Sequence, residues 1–124
     1  MNPDIEGLDY LQWSLFDSPD EPGSGYRFME RYPVKILDDI VKQYRFVLDI
    51  NLGYVSKAYG DKISLPTRDS HRIGRAIRIR ILNPKKRYKL VSGLIMRGVN
   101  RIAVSRDEVY FDTDSLKPPM FALW

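Results

Sequence analysis

The sequence predicts an α+β domain in which a small, mostly antiparallel sheet carries two main helices on one face. Two segments, residues 33–44 and 84–97, place apolar residues at helical spacing. Short segments with the composition and alternation of strands lie between and after them, at 75–81, 101–104 and 108–112. Helices and short strands in this order favour a sheet that is covered by helices on one side.

The first 31 residues are expected to form an irregular arm and loop, followed by a single domain over residues 32–124. Turn-forming residues crowd the stretch from Ser18 to Gly25, which is therefore predicted to be a loop. Three apolar residues just before that loop are expected to anchor the arm to the domain: Trp13, Leu15 and Phe16.

The first main helix is expected to begin near Pro33, because a proline lacks the N–H that the first helical turn leaves unpaired. Its inward face is predicted from four residues: Val34, Leu37, Val41 and Tyr44. A short strand from Phe46 to Ile50 should follow and end at a turn over Asn51–Tyr54. Residues 56–71 are predicted to be a loop, since Gly60 and Pro66 interrupt them.

Residues 75–81 alternate strictly, with Ile77, Ile79 and Ile81 on one side and Ala76, Arg78 and Arg80 on the other. Asn83 and Pro84 fit the N-cap and first residue of the second main helix, and Gly98 fits its end. The inward residues of this helix are expected to be Tyr88, Val91, Leu94 and Ile95. The last two strands should be joined by a tight turn at residues 105–107.

Composition limits the classes of function. A chain of 124 residues is one domain. It has no cysteine, which excludes disulfides, thiolate nucleophiles and cysteine zinc ligands. No apolar run approaches the roughly 18 residues that span a bilayer. The first residues lack the basic start and apolar stretch of a signal peptide, so we expect a protein kept in the cytoplasm of the producing cell or assembled into a virion.

Charge is distributed unevenly along the chain. Residues 1–22 contain six acids and no base, whereas residues 68–89 contain nine bases and only Asp69 as an acid. Such asymmetry can attract a polyanion such as nucleic acid, or it can be a solvated face that packs against the acidic N-terminus. The candidate basic patch consists of Arg68, Arg72, Arg75, Arg80, Lys85, Lys86, Arg87 and Lys89.

Seven short motifs occur in order along the chain. They are Leu15–Asp20, Gly23–Gly25, Leu37–Asp38, Leu52–Val55, Ser70–Ile79, Gly98–Ala103 and Tyr110–Asp114. Together they resemble the phage and bacterial branch of peptidase family M15, zinc enzymes that cleave peptide bonds near D-amino acids in bacterial cell walls. The resemblance covers nearly the whole chain and implies an M15-like α+β fold.

The resemblance also implies where a zinc site would lie. In the family the stretch around His71 reads Ser-(x)-His-x-x-Gly-x-Ala-x-Asp, and the closing motif reads His-x-Asp. His71 matches the first zinc ligand, but Arg78 stands in place of the aspartate ligand and Tyr110 in place of the second histidine. Asp107 matches the family's acid/base carboxylate, and Asp112 matches the carboxylate that supports the last ligand.

Arg78 cannot ligate zinc, because its guanidinium stays protonated and offers only donors. A positive charge about 4 Å from a dication would cost roughly 8 kcal/mol at an effective dielectric near 20. We therefore expect no metal and no cofactor, and a vestigial cleft in which Arg78 takes the metal's place. The acids within reach as partners of Arg78 are Asp112, Asp107 and Glu108.

Two further positions bear on substrate binding. The family's Ser-Gly-Tyr-Arg turn is matched by Gly53 and Tyr54, but Val55 replaces the arginine that is implicated in binding the substrate carboxylate. The alternative for His71 is a hydrogen-bonded structural histidine, and for Tyr54, Tyr110 and Trp124 it is a place in or around the core.

The sequence thus favours a degenerate, non-catalytic M15-like domain, encoded by a phage, that serves as a virion structural part or binds cell wall or a partner protein. Two alternatives stay open. One is an active zinc-dependent peptidoglycan peptidase with a rearranged site that uses His71 with Asp107, Glu108 or Asp112. The other is a polyanion or nucleic-acid binder that uses residues 68–89.

Overall fold

The computed structural model describes residues 7–123 and contains four α-helices, two 3₁₀ turns and five strands within that range. The helices are α1 (Ser24–Phe28), α2 (Arg31–Tyr44), α3 (Lys57–Lys62) and α4 (Pro84–Met96). The strands are β1 (Asp49–Leu52), β2 (Ala76–Arg80), β3 (Arg101–Val104), β4 (Glu108–Asp112) and β5 (Met120–Leu123). The 3₁₀ turns cover Trp13–Phe16 and Ser70–Ile73.

The five strands form one sheet in the order β1-β2-β4-β3-β5. All neighbours are antiparallel except β3 and β5, which run parallel. The predicted α+β class with a mostly antiparallel sheet is therefore confirmed. The fifth strand was not predicted, because four residues after Pro118 and Pro119 are too short to give a clear alternation.

The core lies between one face of the sheet and the two long helices. The sheet contributes Ile77, Ile79, Ile102, Val109 and Phe111, and the helices contribute Val34, Leu37, Ile40, Leu90 and Leu94. The predicted alternation of β2 is confirmed, because its isoleucines enter the core while Arg78 and Arg80 face the other way.

The inward face of α4 differs in part from the prediction: Leu94 is buried and Val91 packs against the core as expected, but Tyr88 and Ile95 do not. Leu90, Gly93 and Leu94 are buried, whereas Tyr88 is 73% exposed and Ile95 is 55% exposed. Gly93 explains why α4 is turned about its axis relative to the predicted orientation, because a Cβ at this position would lie 3.0 Å from Ile40 on α2. The two helices approach each other at the glycine, and this close contact decides which side of α4 faces inward.

Segments predicted to be irregular are partly helical. The stretch before residue 32 holds the Trp13–Phe16 turn and α1, and residues 56–71 hold α3, whose first turn is capped by the Ser56 hydroxyl. Trp13 and Phe16 anchor the arm as predicted, but Leu15 is 44% exposed. The expectation for Trp124 lies outside the described residues.

The strand predicted at residues 46–50 begins three residues later, at Asp49. Its partner β2 ends at Arg80, which pairs with Asp49, so the preceding residues have no strand to bond to. Phe46 and Leu48 are nevertheless buried, and Val47 between them is 91% exposed.

Asp38 holds the arm against α2. Its buried carboxylate accepts hydrogen bonds from the backbone N–H groups of Asp9, Tyr10 and Leu11, at 2.8, 2.9 and 2.8 Å. Three donors on one carboxylate compensate for its removal from water. The Leu37–Asp38 motif therefore has a structural function in this chain.

Candidate functional site

The residues matched to the zinc site lie on the sheet face that points away from the helices. In the register of β2 and β4, Arg78 is opposite Tyr110, Ala76 is opposite Asp112 and Arg80 is opposite Glu108. Since alternate residues of these strands enter the core, these side chains share the other face. The structure thus brings Arg78, Tyr110, Asp112 and Glu108 together.

His71 lies at the edge of this face in the Ser70–Ile73 turn. The carboxylate of Asp69 caps the turn by accepting the His71 backbone N–H at 2.8 Å, and Gly74 ends it at a φ of +71°. The His71 side chain is fully buried, and its ring meets the ring of Tyr110 edge to face, with 5.6 Å between centroids. Short-range backbone geometry therefore presents the imidazole to the sheet.

The two ring nitrogens of His71 differ in their surroundings. Nδ1 lies 2.8 Å from the carbonyl oxygen of Gly53, which can only accept, so Nδ1 carries the proton. Nε2 is buried and has no hydrogen-bond partner among residues 7–123. Burial is the main cause that lowers the pKa of His71, and the nearby Arg78 acts in the same direction. The imidazole is therefore neutral at pH 7.

Asp112 is the centre of a hydrogen-bond cluster, hereafter the Asp112 cluster. Tyr110 donates its hydroxyl to Oδ2 at 2.5 Å, Arg101 donates Nε to Oδ1 at 2.8 Å, and Asp114 donates its backbone N–H to Oδ1 at 3.1 Å. The carboxylate is 1% exposed, and both of its oxygens are used. Arg101, which belongs to the Gly98–Ala103 motif but was not predicted as a site residue, therefore supplies the charge that balances Asp112.

Tyr110 keeps its proton in this environment. Burial, and next the hydrogen bond to Asp112, raise the pKa of the phenol far above its usual value near 10. A protonated phenol that already donates to a carboxylate cannot serve as a phenolate ligand. Tyr110 thus supports the cluster as a protonated donor.

Arg78 pairs with one of the three acids named as candidates. Its Nε lies 3.4 Å from a carboxylate oxygen of Glu108, whose other oxygen accepts a hydrogen bond from Asn51 at 2.7 Å. Asp112 is bound by Arg101 instead. Asp107 lies on the exposed tight turn, where it accepts a hydrogen bond from Ser105, so it is not part of this group.

A second buried carboxylate, that of Asp114, stands next to the cluster. It accepts hydrogen bonds from the Ser70 hydroxyl at 2.9 Å and from the Leu116 backbone at 3.1 Å, and it lies near Arg75 and Lys117. Burial opposes the charged form, but these bonds and cations lower the pKa of Asp114 overall. A pocket of about 330 Å³ opens beside Asp112 and Asp114.

Gly53 and Tyr54 join the arm to this site. The Gly53 carbonyl orients His71, and a Cβ on Gly53 would lie 2.7 Å from the Cα of Phe16. Tyr54 donates its backbone N–H to Phe16 and stacks on Phe28, with 5.0 Å between ring centroids. This turn therefore holds the scaffold together, and Val55, which follows Tyr54, is fully buried.

The residues present do not fit a catalytic zinc ion, which needs about three protein ligands and an open position for water. His71 offers Nε2, and the contact of its Nδ1 with a carbonyl is the usual support for a metal-bound histidine. Arg78 adds a fixed positive charge, and Tyr110 is a protonated donor. No group of three or more His, Cys, Asp or Glu suited to a metal occurs in the described part of the chain.

The basic patch predicted from residues 68–89 is divided by the fold. Arg72 pairs with Asp61 and bonds the carbonyls of Leu65 and Pro66, while Arg75 pairs with Glu30 and Asp114. Both arginines therefore hold loops in place. Arg68 is exposed on the loop before the Ser70–Ile73 turn. The remaining members cluster around the start of α4: Arg80, Lys85, Lys86, Arg87 and Lys89.

Comparisons with protein-family models, with curated proteins and with solved structures found no match to this chain. Within residues 7–123, no helix has the length and apolar character needed to cross a membrane.

Proposed function

We propose that this chain is a non-catalytic M15-like domain, encoded by a phage, that acts as a virion structural part or binds cell wall or a partner protein. The observation that carries the proposal is the Asp112 cluster. The position that corresponds to the last zinc ligand holds a protonated tyrosine bound to Asp112, and Asp112 is neutralised by Arg101. The groups that would support a metal are thus used within the protein.

The rest of the site agrees with this proposal. The positive charge of Arg78 is retained beside a neutral, buried His71, and it is balanced by Glu108 at 3.4 Å. A dication in this space would meet that guanidinium, and the nearby carboxylates of Asp112 and Glu108 already pair with Arg101 and Arg78. A site of this kind fits a binding or structural role, and the fold alone does not define its partner.

The proposal is tested by restoring the two replaced ligands. The double variant Arg78→Asp/Tyr110→His should bind about one zinc per chain, because it recreates two histidines and one carboxylate around the same space. Isothermal titration with zinc measures the stoichiometry. The matched control is Arg80→Asp/Tyr110→His, which makes the same kinds of change but leaves Arg78 in place, and it should bind no zinc at this site. Equal zinc binding by both variants, or by neither, would contradict the M15-like arrangement.

An active zinc peptidase remains the second candidate, because Nε2 of His71 is buried without a partner among the described residues while Nδ1 is held by a carbonyl. This candidate requires zinc in the natural chain, bound by His71. Wild-type protein that retains zinc, and loses both zinc and peptidoglycan cleavage on His71→Ala, would favour it over the non-catalytic proposal.

A further inference from the structure

A group of cations from three elements meets at one end of the molecule. Arg87 donates its guanidinium to the carbonyls of Ile81 and Arg106, at 3.4 and 2.6 Å, and the Ile81 N–H donates to the Asp107 carbonyl at 2.8 Å. These bonds hold the end of β2, the start of α4 and the β3–β4 turn against one another. The cations of this basic surface are Arg80, Lys85, Lys86, Lys89 and Arg106.

The basic surface is not neutralised by the protein. None of its five cations forms an ion pair with another residue in the range 7–123, whereas ten ion pairs occur elsewhere in that range. Arg80, Lys85, Lys86 and Arg106 are exposed. Of the nearby acids, Glu108 is bound by Arg78 and Asn51, and Asp107 by Ser105. Asp49 lies opposite Arg80 on β1 but forms no ion pair with it.

The position of the lysines opposes helix formation. Lys85 and Lys86 lie in the first turn of α4, which contains no acidic residue, although the positive end of a helix dipole favours acids there. Residues that lower the stability of a helix, and that no contact within the protein compensates, are typical of a functional surface. An external anion would supply the missing negative charge.

An exposed aromatic residue, Tyr88, lies on α4 with three of these cations. Tyr88 is 73% exposed, one helical turn after Lys85, and Leu82 beside the helix start is 63% exposed. Tyr88 was expected in the core, and the close contact at Gly93 turns it outward instead. An exposed aromatic side chain one helical turn from Lys85, near the end of α4 that carries the other cations, provides both elements of single-strand recognition, stacking for bases and positive charge for phosphates.

We propose that the basic surface binds single-stranded nucleic acid, with phosphates on Arg80, Lys85, Lys86 and Arg106 and a base stacked on Tyr88. An anionic membrane fits less well. Leu90 and Leu94 of α4 are fully buried, and the exposed apolar residues Ile95 and Met96 lie at the opposite end of α4 from the cations. Leu82 and Tyr88 are therefore the large exposed apolar residues beside the cations that could enter a bilayer. Arg80 shares the outer sheet face with the candidate zinc site, whereas Lys85, Lys86 and Arg106 lie outside it. The proposal does not depend on the absence of zinc.

Fluorescence anisotropy with a labelled oligothymidylate tests this assignment. Four phosphate contacts on a single strand predict a slope of about −3 for the logarithm of the association constant against the logarithm of salt concentration. Lys85→Glu/Lys86→Glu should weaken binding at low salt by about tenfold or more and reduce the slope by roughly half. The matched control is Lys62→Glu/Arg68→Glu, which makes the same change in net charge at two exposed positions outside the basic surface and should change affinity by less than about twofold.

The aromatic contribution is tested separately. Tyr88→Ala should weaken oligothymidylate binding by about tenfold, and Tyr88→Phe should restore it, because the ring and not the hydroxyl stacks on a base. Absence of salt-dependent binding would overturn the proposal, as would an equal loss in the Lys62/Arg68 control. It would also be overturned if phosphatidylserine vesicles bound and the oligonucleotide did not, or if oligothymidylate bound as tightly to Tyr88→Ala as to the wild type.

Discussion

The charged side chains of the Asp112 cluster have partners within the protein, whereas those of the basic surface form no ion pairs within residues 7–123. In the cluster, the buried carboxylate is matched by Arg101, by the Tyr110 hydroxyl and by a backbone N–H, so the fold itself uses every group. At the basic surface, five cations form no ion pair with the described residues, and Lys89 alone among them has a cation–π contact, with the Tyr44 ring at 5.7 Å. The comparison separates charges that stabilise the structure from charges that are available to a partner. The sequence alone did not make this distinction, because it predicted residues of both groups as candidate site residues.

The largest expected effect is the loss of the carboxylate at the centre of the cluster. Asp112→Ala should reduce the free energy of unfolding by about 3–5 kcal/mol, because it leaves Arg101 as an unpaired, largely buried charge and Tyr110 without its acceptor. Urea denaturation measures the change. Asp107→Ala is the matched control, since that carboxylate is exposed, and it should cost less than about 0.5 kcal/mol. Similar losses in the two variants would remove the contrast between buried and exposed acids.

A smaller effect is expected from pH. The pKa of His71 is lowered in the folded state, so below the ordinary value near 6.5 the unfolded chain binds a proton that the folded chain does not. Stability should therefore be fully present above pH 6.5 and fall as the pH decreases toward the folded pKa, by up to about 1.4 kcal/mol per pH unit.

Urea denaturation between pH 7.5 and pH 5.5 tests this dependence, which is assignable because His71 is the only histidine in the chain. His71→Asn should abolish the slope in that range, since its amide can still donate to the Gly53 carbonyl but does not titrate. A wild-type stability that is constant or increases as the pH falls would show that His71 is not held neutral by burial.

The smallest expected effect concerns the basic surface. Lys85→Glu/Lys86→Glu should leave stability unchanged or raise it by about 0.3–1 kcal/mol, because acids replace cations at the positive end of α4. Thermal denaturation at low and high salt measures the difference, and the gain should shrink at high salt. A clear loss of stability would mean that these lysines have structural partners, and their assignment to an external anion would fail.

Much of the fold could be predicted from local patterns. The alternation around Ile77 and Ile79 fixed the two faces of β2, and the caps at Asn83 and Gly98 defined α4 within one or two residues. The side of α4 that faces inward could not be predicted, because it depends on the contact between Gly93 and Ile40, which are distant in sequence. The start of β1 likewise depends on where its partner strand ends.

The candidate site was predicted in part for the same reason. Strand alternation placed Arg78, Tyr110 and Asp112 on one face, and this grouping needs only period-two geometry. The choice of partners depends on strand order, which the pattern of residues does not contain. Arg101 reaches Asp112 because β3 lies next to β4, and Arg106 joins the lysines of α4 because the β3–β4 turn is tied to the helix start by Arg87.

The metal content of the natural chain tests the central claim most directly. Protein purified without chelators or an affinity metal should contain far less than one zinc per chain by elemental analysis, because Tyr110 and Asp112 satisfy each other and Arg78 keeps its charge beside His71. About one zinc per chain, lost on His71→Ala but not on Asp107→Ala, would contradict the account and restore the interpretation of this face as a metal centre.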